Sequence, residues 1–111
     1  MDILFSSDKL RELCNDTKKL TKSYGSNQAK KLRRRLDDLQ AAAILEDCRS
    51  LPGRCHELKG DRAGQLAMDL DGGFRSVFEP GEKPMPRKED GGLDWSRVTS
   101  VRILEIEDYH D

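Results

Sequence analysis

The stretch Ser50-Leu51-Pro52-Gly53-Arg54, SLPGR, divides this chain of 111 residues into two kinds of sequence. Upstream of it, apolar residues recur at helical spacing. Downstream, they alternate in short runs broken by glycine, proline and acids. A Pro-Gly pair stops a helix, because proline lacks the N–H and glycine gains nothing from the helical conformation. On the upstream side, QAKKLRRRLDDLQAA (28–42) places Ala29, Leu32, Leu36 and Leu39, continued by Ala43, in one stripe of alternating three- and four-residue steps. SSDKLRELCNDTKKL (6–20) opens on helix-capping serines and sets Leu10, Leu13, Cys14 and Leu20 on one face. Gly25 suits the end of that helix and Asn27 the start of the next, so an antiparallel helical hairpin is expected over about 8–44. MDILF (1–5) reads as a short strand.

Downstream the expected strands are RCHELKG (54–60), QLAMDL (65–70), FRSVFEP (74–80) and VTSVRILEIEDYH (98–110), with Asp71-Gly72-Gly73 as a hairpin turn. The segment 81–97, GEKPMPRKEDGGLDWSR, is rich in Pro, Gly and charge and is expected to be an exposed loop or an extended hairpin tip. One α+β domain over 1–111 follows: a strand and a helical hairpin packed on a small, mainly antiparallel sheet at about 54–110, with a loop insertion at about 81–97.

Charged residues make up 37% and hydrophobic residues 35%, yet the apolar ones are patterned, which argues against disorder. No run approaches a membrane span, and the opening lacks the basic start of a signal peptide. Cys14, Cys48 and Cys55 are odd in number and lack CxxC spacing, so reduced thiols in a cytoplasmic protein are expected. The net charge of −1 hides a division: residues 1–62 hold 14 Lys and Arg against 10 Asp and Glu, whereas 63–111 hold 6 against 11. The near-neutral total argues against a general nucleic-acid binder but leaves room for a local basic face. One candidate is Lys30, Lys31, Arg33, Arg34 and Arg35 on the second helix, either as a solvated face or as a docking surface for an acidic partner or RNA phosphates.

Two histidines, His56 and His110, with Asp108 and Tyr109, supply an acid–base set that works near neutral pH. Lys59, Arg62 and Arg75 supply cations for a phosphate and for charge developing on phosphorus. RNA cleavage by its own 2′-hydroxyl needs such an inventory. A zinc site from Cys55, His56, Asp108 and His110 is disfavoured, because neighbouring residues on a strand point to opposite faces.

AKKLRRRLDDLQAA (29–42), LPGRCHELKGDRAGQ (51–65), GGFRSVFE (72–79) and the closing EDYHD (107–111) resemble, in that order, the HigB-type toxins of the RelE/ParE superfamily, often described as plasmid-maintenance killer proteins. The resemblance implies a RelE-like α+β fold and ribosome-dependent cleavage of messenger RNA without metal or cofactor. It also implies a cognate helix-turn-helix antitoxin, with oligomers formed in the toxin–antitoxin complex, and no membrane partner. Carried over by position, it implies that His56, Asp108, Tyr109 and His110 are catalytic and that Lys59, Arg62 and Arg75 hold RNA. It leaves the general acid and base undivided among them.

Three departures stand out: Glu57 where proline is common, bringing negative charge near the phosphate path; Phe74 where tryptophan is common; and the length of 81–97. Two further readings stand beside messenger RNA cleavage: a catalytically degenerate toxin-fold protein acting through antitoxin binding and regulation, which Glu57 and the long segment favour, and a ParE-like gyrase poison of the same fold. The acid–base set speaks against the gyrase poison.

Overall fold

The structure is a computed structural model and describes residues 1–109. Strand β1 (Asp2–Phe5) leads into helices α1 (Asp8–Cys14), α2 (Thr17–Tyr24) and α3 (Ser26–Ala41). A 3-10 turn at Leu45–Ser50 precedes β2 (His56–Glu57), β3 (Leu66–Asp69), β4 (Phe74–Pro80) and β5 (Ser100–Asp108). The strands form one sheet in the order β1-β5-β4-β3-β2, with β1 parallel to β5 and the other pairs antiparallel. The expected α+β architecture is present.

The helical region differs from expectation in one respect. The first helix is broken at Asn15-Asp16, where the Asp16 carboxylate accepts from Lys18 and Lys19 N–H groups and starts α2 anew. An acid that satisfies two otherwise orphaned donors makes the break cheaper than continuation. Asn27 does not cap α3. That helix starts at Ser26 after Gly25, with no side-chain cap.

Leu20, Leu32, Leu36 and Leu39 pack on Leu66, Met68, Phe78, Val101 and Ile103, all essentially inaccessible to solvent. The register shows how the other face is built. His56 lies opposite Ala67, Ala67 opposite Val77 and Val77 opposite Glu105; one step along, Asp69 lies opposite Arg75 and Arg75 opposite Glu107. Directly opposed residues share a face, so these seven side chains line the side away from the helices.

Strand β4 runs over the residues expected of it. RCHELKG does not: only His56 and Glu57 pair, because Arg54 (φ +51°) and Gly60 (φ +67°) turn the backbone out of the extended conformation on either side. The segment 81–97 does form a hairpin tip, with Arg87 bridged to Leu93 and the Lys88 N–H donating to the Gly92 carbonyl at 2.8 Å, but it is not simply exposed. Leu93 and Trp95 are buried in the main core, and Glu82 pins the segment's start by accepting from the Thr99 and Ser100 N–H groups at 2.6 and 3.2 Å. No helix among the described residues is long and apolar enough to cross a membrane.

Candidate active site on the open sheet face

Asp69, at the end of β3, is the centre of the face turned away from the helices. Arg54 Nε and Nη2 donate to its two carboxylate oxygens at 2.9 and 3.2 Å, and the Tyr109 hydroxyl donates at 3.1 Å. Partial burial opposes ionisation of Asp69, but the hydrogen bonds from Arg54 and Tyr109 outweigh it and hold the carboxyl below its ordinary range. Its backbone is fixed as well, since the Asp69 N–H donates to the Gly53 carbonyl at 2.7 Å and Arg35 Nε donates to the Asp69 carbonyl at 3.3 Å.

His56 Nδ1 lies 2.6 Å from the Arg54 carbonyl oxygen. A carbonyl only accepts, so Nδ1 carries the hydrogen and the neutral ring presents Nε2 as a lone pair. The turned backbone at Arg54 therefore does two things: its carbonyl sets the His56 tautomer, and its guanidinium neutralises Asp69.

Arg75 sits beside these groups on β4. Its Nε donates to Glu107 Oε2 at 2.7 Å, and its guanidinium carbon stands 4.5 Å from the centre of the Tyr109 ring, a cation–π contact. Arg62 donates to Glu107 at 2.7 and 2.9 Å and to Glu105 at 2.9 Å. Arg62 thus links the connection before β3 to β5, two strands away in the sheet, and on the face that carries these carboxylates Ala67 and Val77 are fully buried. Glu107 resembles Asp69: burial raises its pKa, but Arg75 and Arg62 more than compensate, and it lies below the ordinary carboxylate range.

Of the residues expected from sequence, the structure gathers His56, Arg62, Arg75 and Tyr109 on one face. Asp108 stands opposite Phe74, whose ring packs on the core, so its register places it on the other face. Lys59 is exposed just before the 3-10 turn at Gly60–Arg62. His110 lies outside the described residues. The basic run on α3 is divided. Arg35 is buried against Gly53 and Asp69, and Arg33 binds Asp37 and the Cys14 carbonyl, while Lys30 and Arg34 are exposed.

Sequence reading missed Arg54, Asp69, Glu105 and Glu107. One signal was present: Glu105 and Glu107 recur at strand spacing on the face that also carries Arg75. Glu57 needs a correction. It does not share a face with His56: it stands opposite Leu66, and its carboxylate accepts from the Trp95 indole N–H at 3.0 Å. Burial, with Cys48 nearby, pushes the Cys55 thiol up to about 12, so it stays protonated at neutral pH and is a poor metal ligand or nucleophile. Among the described residues no group of three His, Cys, Asp or Glu side chains is arranged to hold a metal ion.

No family model matches the sequence, and no curated protein matches it. Solved structures do. A YoeB/ParE toxin from Agrobacterium tumefaciens superimposes with a TM-score of 0.62 at 10% identity, over 99% of this chain and 100% of that one. A YoeB dimer from Staphylococcus aureus gives a TM-score of 0.56 at 16% identity, over 100% of this chain and 98% of that one. From end to end, the fold of this chain is that of the YoeB/ParE toxins.

Proposed function

We propose that this chain is the toxin of a type II toxin–antitoxin module and that it cleaves messenger RNA on the ribosome. The observation that carries the reading is the meeting of His56, Arg75 and Tyr109 on one sheet face around Asp69. His56 Nε2 removes the 2′-hydroxyl proton. The 2′-oxygen then bonds to phosphorus while the bond to the 5′-oxygen breaks, and a proton from the end of the chain, at Tyr109 or His110, restores the leaving hydroxyl. Arg75 and Arg62 release Glu107 in part to hold the phosphate, with Lys59 at the margin. Tyr109 stacks on an unpaired base. With a net charge of −1, the chain lacks a broad positive field for naked RNA, so the ribosome presents the substrate. A small helix-turn-helix antitoxin is the inferred partner.

The test is induced expression in bacteria, wild type beside His56→Ala, with transcript 5′ ends mapped. New in-frame ends that disappear in the variant support the reading. Growth arrest without new ends refutes cleavage.

One observation favours a second reading. Arg54, Arg62 and Arg75 are all bound to carboxylates of the same face. A protein kept only for antitoxin binding and regulation tolerates such pairing, and it predicts no arrest and no new ends.

A further inference from the structure

Strand β2 is a two-residue edge strand, paired only with β3, yet it carries His56. Backbone bonds from Asp69 N–H to the Gly53 carbonyl at 2.7 Å and from Leu58 N–H to the Gln65 carbonyl at 2.9 Å tie the strand to its neighbour on one edge only, so its tilt about that edge is set by what its side chains hold. Glu57 is the next residue and points to the opposite face, so a fixed Glu57 fixes the aim of His56. What holds Glu57 is the indole N–H of Trp95, at 3.0 Å.

Trp95 is itself enclosed. It is 3% exposed, belongs to the core cluster with Leu45 and Cys48, and carries the Arg49 guanidinium 3.7 Å above its ring. The segment around it is tied to itself: the Asp94 N–H donates to the Pro86 carbonyl at 2.9 Å, and Arg97 reaches the Arg87 carbonyl at 2.6 Å and Asp94 at 3.0 Å. Glu57 and the long 81–97 segment, two separate oddities in the sequence, are therefore two ends of one contact.

We propose that Glu57 and Trp95 are positioning residues for His56: the 81–97 segment braces β2 through this hydrogen bond and holds the imidazole in register with the Arg54 carbonyl. The inference rests on the nuclease reading only for its kinetic consequence. The structural consequence is read on the ring itself.

The chain has two histidines, so ¹⁵N-histidine labelling gives a spectrum of two rings, assigned with a His110→Ala variant. In the wild type, His56 shows a protonated Nδ1 and an unprotonated Nε2. Trp95→Phe and Glu57→Ala move these signals toward a mixture of tautomers, while Glu57→Gln, which keeps an acceptor oxygen, stays within the wild-type pattern. In single-turnover cleavage on programmed ribosomes, the first two variants lose about 10- to 100-fold in rate with binding unchanged, the scale of a misplaced reacting group. Glu57→Gln stays within about twofold of wild type. If Trp95→Phe does not fold, Glu57→Ala decides alone, because it leaves the buried indole in place and removes an exposed side chain together with its one bond to Trp95. An unaltered His56 signature in a folded variant overturns the brace. An inactive wild type whose His56 signature responds as described overturns the nuclease reading and leaves the brace standing.

Discussion

Tyr109 donates its hydroxyl hydrogen to Asp69 across strand β4, joining the last described residue of the chain to the end of β3. The Arg75 guanidinium beneath the ring belongs to the strand being bridged. Carboxylate and guanidinium thus come from β3 and β4 and the phenol from the residue just after β5, and none of the three elements makes the site alone.

Tyr109→Phe keeps the ring over Arg75 and removes the hydroxyl. The residue is 38% exposed, so the stability loss is expected to be small, about 1 kcal/mol or less. Cleavage should fall far more than stability does. Thermal melting beside single-turnover rates makes the comparison, and parallel losses in both would reduce Tyr109 to a packing residue.

His56→Ala and the pair Lys59→Ala and Arg62→Ala should separate chemistry from binding. Loss of one proton-handling group slows cleavage ~10²-fold or more and leaves association intact. Loss of a phosphate contact weakens association and lowers its salt dependence. Arg62→Ala has a second effect, since it leaves Glu105 and Glu107 facing the substrate with less neutralisation. Its binding defect should therefore exceed that of Lys59→Ala, which a salt series of binding isotherms would measure.

Gly53→Ala should destabilise the fold by roughly 1–3 kcal/mol. The residue sits at φ +106°, and an added Cβ would stand 2.6 Å from Arg35 Nε. Arg35→Ala in the same chain removes the collision but not the backbone strain, so the double variant should lose less than the two single losses combined. Urea denaturation of the four proteins tests this, and simple additivity would show that the two residues do not compete for the same space.

Acid should weaken the open face. Asp69 and Glu107 have folded pKa values below their unfolded values of about 4. Their stabilisation is therefore complete above that pH and is lost as pH falls through the folded values. Solvent screening limits the effect to about 1 kcal/mol. Melting temperature between pH 5 and 2 should drop less steeply in Asp69→Asn and Glu107→Gln than in the wild type, and equal slopes would assign acid sensitivity to other carboxylates.

Much of the fold was legible because its signals are local. FRSVFEP alternates between turn residues, and the stripe from Ala29 to Leu39 has no competing period. The break at Asn15-Asp16 was written in capping residues, but a continuous apolar face masked it. The two-residue length of β2 was not legible, since only the coordinates show Arg54 at positive φ. The site was half legible. His56, Arg75 and Tyr109 are chemically conspicuous, whereas Asp69 and Glu107 acquire meaning only through partners 15 to 45 residues away. Trp95 looked like part of a loop, because burial of an aromatic inside a Pro- and Gly-rich segment depends on tertiary packing.

Strand β5 lies between β1 and β4, so the earliest strand finds its partner only in residues about a hundred positions later. During synthesis, β1 and all three helices leave the ribosome with no sheet to join, and the β2–β4 hairpins wait for a neighbour. Assembly is therefore a late and concerted event, of the slow kind expected where long-range pairings dominate. A chain interrupted before residue 100 lacks the strand that unites its two halves as well as Tyr109. It should neither fold nor assemble the open face, so an unfinished copy carries none of the site.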